Sequence, residues 1–174
     1  GSDSVLKEMN RQHTRKEYLD LIKQIKNLIP NCGISHDMIT GFPNETDEDH
    51  NQTLSLMREV KYDFGYMFKY SERPGTFAAK KFEDNVDEEV KKVRLQEIID
   101  LQQLHSKFRT KQYVGKTVEV LIEKESKKSS SHWAGRNEQN TVVVFPKKSY
   151  KIGDFVNVKI NDCTSATLIG ESID

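Results

Sequence analysis

The spacing of apolar positions changes once along the chain. Behind Thr14, the residues Tyr18, Leu21, Ile22, Ile25, Leu28 and Ile29 return every three or four positions, which predicts an amphipathic helix that Pro30 stops. Thr14 and Glu17 have the spacing of a capping box. The run Ile34 to Thr40 reads as a short strand that ends in the loop residues Gly41-Phe42-Pro43. Thr46 then caps a second helix whose first turn, Asp47, Glu48 and Asp49, complements the positive end of the helix dipole; Leu54, Met57 and Val60 form its buried stripe. Phe64 to Tyr70 is a second, aromatic-rich strand running into Ser71-Glu72-Arg73-Pro74-Gly75-Thr76. Helix, strand, helix, strand argues for parallel β/α units, in which ligands bind at the carboxyl ends of strands. Both loops, 41–46 and 71–76, fall on that edge. A long helix from about Asp87 to Thr110 follows, with Val90, Leu95, Ile98, Leu101 and Phe108 among its apolar positions.

From residue 113 the period becomes two. Val118, Val120 and Ile122 alternate with Glu119, Leu121 and Glu123; Thr141 to Phe145, Val156 to Ile160 and Ala166 to Ile169 follow. Four or five short strands with turns such as Ile152-Gly153-Asp154 predict a small antiparallel β-barrel. Lys124 to Ser131 reads as a polar hairpin or loop. The expected division is therefore residues 1–110, an α/β part, and residues 111–174, an all-β part.

Charge refines this division. The 174 residues hold 27 Lys+Arg and 27 Asp+Glu, which excludes a uniformly basic chain but not a local basic face. Residues 111–174 carry ten basic and eight acidic side chains, and residues 111–160 ten against five. A β-barrel with basic loops suits single-stranded or RNA ligands, and equally a solvated charged surface. Two cysteines, Cys32 and Cys163, exclude a disulfide-rich scaffold and cannot by themselves ligate a cluster. There is no apolar run of membrane-spanning length and no signal-peptide pattern, so a soluble, cytoplasmic protein without membrane association is expected.

The candidate chemistry sits in loops. Gly41-Phe42-Pro43-Asn44-Glu45-Thr46 precedes a helix N-terminus, where backbone N–H groups can hold an anionic or polar group; an ordinary strand-to-helix connection has the same pattern. Arg73-Pro74-Gly75-Thr76 offers a guanidinium for a carboxylate or phosphate, as does Asn10 to Arg15, with a polar cap as the alternative. His36 and His50 lack partners at metal-ligand spacing and read as structural or surface residues. Trp133 either stacks on a base or packs on its own barrel. No Ser-His-Asp order, paired-carboxylate site or P-loop is present, and no metal site is expected within the chain.

Several strings together resemble the radical S-adenosylmethionine methylthiotransferase family. They are Gly1-Ser2-Asp3, Val5-Leu6-Lys7, Met9-Asn10-Arg11, His13-Thr14-Arg15, Gly41-Phe42-Pro43 with Glu45-Thr46, Tyr66 to Ser71, and Arg73-Pro74-Gly75-Thr76 with Ala78-Ala79. The likeness continues through the long helix into a terminal barrel similar to a TRAM domain, an RNA-binding module, on Gly135-Arg136, Asn140, Val142 to Phe145 and Gly153-Asp154. Of the family's three branches, the Met-Phe-Lys-Tyr-Ser stretch and the Ser-Glu-Arg-Pro-Gly-Thr loop most resemble the MiaB type, which modifies tRNA bearing isopentenyl-adenosine beside the anticodon. The branch acting on threonylcarbamoyl-adenosine shares the Arg-Pro-Gly-Thr loop; the third acts on a ribosomal protein. His36 and Asn44 stand where the family more often has Thr and Gly.

The resemblance implies the C-terminal portion of a (β/α)-type partial barrel followed by a TRAM barrel. It implies S-adenosylmethionine and two [4Fe–4S] clusters as cofactors, the cluster ligands lying outside this sequence, since neither cysteine matches a ligand position and no CxxxCxxC occurs. The reaction implied is radical addition of a methylthio group to C2 of the modified adenosine at tRNA position 37, with the fragment alone inactive. A non-catalytic RNA-binding protein is the alternative from another class. The partners implied are the tRNA anticodon stem-loop and a cluster reductant such as flavodoxin or ferredoxin. Gly41, Phe42, Pro43 and Glu45 would lie near the adenosine half of S-adenosylmethionine, and Ser2 and Arg15 near its methionine carboxylate. Ser71, Arg73 and Thr76 would face substrate, while Lys127, Lys128, Arg136 and Asn140 would hold tRNA. An α/β layer with missing strands would also leave an unpaired edge, which predicts poor solubility or association.

Overall fold

The computed structural model describes residues 1–173. The chain forms two compact units, Gly1–Gln103 and the segment from Leu104 onward. The first contains α1 (Asp3–Glu8), α2 (Arg15–Leu28), β1 (Ser35–Thr40), α3 (Asp47–Val60), β2 (Phe64–Lys69), α4 (Phe77–Lys81) and most of α5 (Glu88–Lys111), inside which the division falls. The second contains β3 (Thr117–Ser126), β4 (Ser129–Arg136), β5 (Val142–Pro146), β6 (Phe155–Cys163) and β7 (Thr167–Ser172).

In the first unit the expected capping box forms at α2, and the expected cap at Thr46 closes a second box. Thr14 and Glu17 satisfy each other's backbone N–H groups at the start of α2, and Thr46 and Asp49 do so at the start of α3. β1 and β2 pair in parallel, from Ser35 opposite Phe64 to Thr40 opposite Lys69, as the helix–strand alternation predicts. The inward sheet face places Met38 and Met67 on a core of Ile22, Leu54, Leu56, Met57, Val60, Tyr62 and Ile98. His36 shares that face, half-buried, with Nε2 2.9 Å from Gln102 Oε1 and its ring edge-on to Tyr62. Its cross-strand neighbour must be glycine, because a Cβ at Gly65 would lie 2.3 Å from the imidazole. Burial lowers the His36 pKa against the opposing hydrogen bond that Nε2 donates to Gln102 Oε1, which marks the ring as a structural group. The outward face leaves Ile39, Tyr66 and Phe68 exposed.

Three features of this unit differ from the sequence reading. α1 and α4 are short helices in stretches where the apolar pattern predicts no element; Thr76 ends its loop by capping α4 through the Ala79 N–H. The apolar face of α2 buries only Ile22, and Leu21, Leu28 and Ile29 stay exposed because nothing among the described residues covers them.

The second unit closes as β3-β4-β5-β7-β6. It is not wholly antiparallel: β5 and β7 run parallel, because β6 intervenes in the chain and pairs on the other side of β7. Val120, Ile122, Val143, Phe145, Val156, Val158, Ile160 and Leu168 fill the interior. The expected alternation holds along β3, where Val120 and Ile122 are buried and Glu119, Leu121 and Glu123 face out. β4 carries no apolar alternation until Trp133, which is why it escapes the sequence pattern; the polar run 124–131 is the end of β3, a Lys127-Lys128 turn and the start of β4.

Two glycines let the strands curl. Gly135 lies opposite Ile122, just before a bulge, and a Cβ there would meet the Leu121 carbonyl oxygen at 2.2 Å. Gly170 lies opposite Ile160, again just before a bulge, and a Cβ would meet the Lys159 carbonyl oxygen at 2.2 Å. The β3–β4 and β6–β7 hairpins thus turn their corners by one device used twice.

Candidate functional site

The loop 41–46 leaves the carboxyl end of β1 and enters α3, and its shape is set from several sides. Gly41 has φ +73° and sits on the aliphatic stem of Lys91, so a Cβ would lie 2.4 Å from Lys91 Cγ. Phe42 is buried edge-on to Tyr70 and Phe82. Pro43 is buried as well. Asn44 takes φ +66°, a turn conformation that asparagine tolerates, and exchanges hydrogen bonds with Asn85 at 2.8 Å. Glu45 is buried, and its Oε1 accepts from the Gly41 N–H (2.9 Å), the Thr40 hydroxyl (3.1 Å) and Arg94 Nη1 (3.1 Å). This carboxylate therefore faces its own loop.

Ser2 and Arg15 come together on α3. Ser2 is buried, and its hydroxyl donates to Asp49, which also accepts from Ser4 and from the hydroxyl and N–H of Thr46. Burial pushes the Asp49 carboxyl upward, but these four donors outweigh it and hold the group well below the usual carboxylate range. The Arg15 guanidinium donates to the carbonyls of Gly1 and Gln52 and to Ser55 Oγ. Both side chains are engaged in packing the start of the chain against α3.

The 71–76 loop begins beside the first one. The Tyr70 N–H donates to the Thr40 carbonyl at 2.8 Å, continuing the β1–β2 ladder into the two loops. Beyond it Ser71, Arg73 and Thr76 are exposed, and Gly75, with φ +84°, has open space around it. The two loops thus share an edge and differ in character, one buried and braced, the other open to solvent.

In the barrel the four predicted RNA-facing residues fall in two places. Lys127 and Lys128 are exposed at the β3–β4 turn. Arg136, at the far end of β4, donates from Nη1 to the Asn140 carbonyl (2.8 Å) and Oδ1 (3.1 Å), and its Nε lies 3.4 Å from Glu123. The length of β4 separates the two places by roughly 20 Å. Trp133 packs against the barrel core, with Lys147 Nζ 4.5 Å from its ring centroid, which favours the packing alternative. His50 is structural: buried, with Nε2 2.7 Å from Glu97 and Nδ1 3.3 Å from Thr40 Oγ1.

The residues that sequence patterns missed are Lys91 and Arg94. Polar positions on a helix read as solvated, yet both are buried under the 41–46 loop. Their only sequence signal is the density of acids around them, Asp84, Glu88, Glu45 and Asp47, with which they pair.

An iron–sulfur cluster does not fit these side chains. Cys32 and Cys163 belong to different units, and no group of three or more His, Cys, Asp or Glu able to hold a metal occurs among the described residues. The 41–46 loop offers a braced main chain, with Phe42 and Pro43 buried and the space beside Gly41 filled by the Lys91 stem. Among the described residues no helix is long and apolar enough to cross a membrane.

Comparison with known proteins gives two family matches. Residues 1–57 match the radical SAM superfamily and residues 111–173 the TRAM domain. A relative from Christiangramia forsetii, named tRNA-2-methylthio-N(6)-dimethylallyladenosine synthase, is 72% identical over 99% of this chain and 36% of its own length. A protein of the same name from Flavobacterium johnsoniae is 61% identical over the same shares. Another, from Karelsulcia muelleri, is 56% identical over 98% of this chain and 38% of its own. The chain thus spans little more than a third of these relatives. The motifs on the β1 and β2 loops, the barrel that follows them and this identity along nearly every residue lead to one conclusion: the chain belongs to the radical S-adenosylmethionine methylthiotransferase family, of the MiaB type, and carries part of its radical domain followed by its TRAM domain.

Proposed function

We propose that this chain is the C-terminal part of a cytoplasmic tRNA methylthiotransferase that places a methylthio group on C2 of N6-isopentenyladenosine beside the anticodon, at position 37. The observation that carries this reading is the 72% identity, over nearly the whole chain, to a relative bearing that synthase name. Residues 1–110 are read as the end of a (β/α)-type partial barrel and residues 111–174 as the RNA-holding domain. When bound, S-adenosylmethionine and two [4Fe–4S] clusters, ligated outside this chain and reduced by a flavodoxin or ferredoxin, supply the methyl and radical chemistry.

The part assigned to these residues is shape and charge. Gly41, Phe42 and Pro43 wall the adenosine half of S-adenosylmethionine, with Glu45 holding the Gly41 amide. Ser2 and Arg15 lie toward the methionine carboxylate and fix that wall on α3. Ser71, Arg73 and Thr76, on the open loop of the same edge, face the modified nucleoside and its phosphates. Lys127, Lys128, Arg136 and Asn140 hold the anticodon stem-loop.

The test has two arms. The longer protein, expressed in a bacterium lacking its own enzyme, is expected to restore the methylthio mark on isopentenyladenosine in digested tRNA, read by mass spectrometry; the mark on threonylcarbamoyladenosine instead overturns the substrate assignment. The present chain alone is expected to bind the anticodon stem-loop in a salt-dependent way without modifying it. Replacing Lys127 and Lys128 by Ala lowers the slope of log K against log salt by about 1.5 if each contacts one phosphate, and an unchanged slope removes them from the RNA surface.

A further inference from the structure

The conformation of the 41–46 loop is imposed by α5. Lys91 and Arg94 stand one turn apart on that helix, so their side chains project toward the same neighbour. Both are buried, although lysine and arginine reach this degree of burial almost only when paired. Arg94 Nη1 donates to the Glu45 carbonyl at 2.9 Å and to Glu45 Oε1 at 3.1 Å, while Nη2 donates to Asp47 Oδ1 at 2.8 Å. Glu45 Oε1 in turn takes the Gly41 N–H at 2.9 Å, so a continuous polar chain runs from α5 through Glu45 to the first residue of the loop. Lys91 completes the brace: its stem fills the space beside Gly41, and its Nζ is fixed by Asp84 (2.6 Å) and Glu88 (3.1 Å).

We infer that Arg94 and Glu45 are positioning residues for the S-adenosylmethionine wall, acting as a charge lock that sets the Gly41 main chain rather than touching the cofactor. This rests on the reading of the 41–46 loop given under the proposed function. The guanidinium is the group this arrangement requires, because three acceptors on two residues are met by one planar fork. A lysine keeps the charge but cannot hold that geometry. Asp47 is the weak member, since its side chain is 93% exposed.

Two readouts separate the lock from the cofactor reading. In the present chain, Arg94→Lys is expected to speed hydrogen exchange at the Gly41 and Glu45 amides at least tenfold while β3–β7 amides are unchanged; Asp47→Asn is expected to change them less than threefold. Equal exchange in Arg94→Lys and the unaltered chain overturns the lock. Glu45→Gln, which keeps an acceptor for the Gly41 N–H but loses the charge, should fall between the two. In the longer protein, Arg94→Lys should raise KM for S-adenosylmethionine about tenfold with kcat within twofold, and leave stem-loop binding unaltered. A loosened loop with unchanged KM shows that the loop does not receive S-adenosylmethionine. That result overturns the positioning role together with the reading it rests on, and leaves the RNA reading of the barrel standing.

Discussion

The five-stranded barrel and the two-stranded sheet are built from similar short strands, yet they solve the problem of strand edges differently. In the barrel every strand has two neighbours, and the apolar side of each strand points into a filled interior. In the sheet, among the described residues, β1 and β2 have only each other, and Ile39, Tyr66 and Phe68 face solvent on the side away from the core. Parallel sheets are covered on both faces in α/β proteins, so this bare face marks the first unit as the more dependent of the two. Its stability comes from the helical side, where capping boxes, buried ion pairs and the Met57–Ile98 core lie.

The largest effect expected from this contrast is in the barrel interior. Phe145→Ala removes a fully buried ring from the centre of the core and should cost about 4 kcal/mol. Native-state hydrogen exchange should then show lost protection across β3–β7 with α2, α3 and β1 unaffected; protection lost equally in both units would mean that they unfold as one and would break the comparison. The intermediate effect is on the other unit and depends on pH. The carboxyl of Asp49 is held below its ordinary value of 3.8, so its contribution is fully present above about pH 4 and is lost as the pH falls below that. Thermal melts between pH 5 and 2.5 should show the first unit weakening ahead of the barrel, and Asp49→Asn should flatten that dependence while lowering stability at neutral pH. The smallest effect on stability, but the most direct test of the bare face, is Phe68→Lys. It should change folding free energy by less than about 0.5 kcal/mol and reduce concentration-dependent association in sedimentation velocity; association that persists unchanged points to another surface, such as the exposed apolar side of α2.

Legibility in the sequence followed the kind of force involved. Patterns carried by one strand or one helix turn were readable: the Thr14–Glu17 capping box, the cap at Thr46, the β1–β2 order, and the alternation along β3 and β6. The antiparallel expectation for the barrel failed only at β5–β7, because pairing between strands distant in sequence depends on how β6 crosses the ring. β4 was hidden because its outward and turn positions are serines and lysines, with the buried residues of the strand small apart from the half-buried Trp133. Within the candidate site, the loop residues were identifiable from composition and from the family likeness. The groups that hold them were not. Nothing local tells that Lys91 and Arg94 turn inward, since their burial depends on acids supplied from positions 45, 47, 84 and 88. Likewise Glu45 looked available for a ligand until its partners were placed around it.

The twin glycine corners have a consequence for how the barrel meets anything outside it. With Gly135 and Gly170 pulling neighbouring strands close, the cylinder is narrow enough for valine, isoleucine, leucine and one phenylalanine to plug it from end to end. Among the described residues these side chains occupy the interior, where a lumen would otherwise lie. A ligand would meet only the rim and outer strands, and substitutions in the turns would leave the plug that keeps the strands together undisturbed.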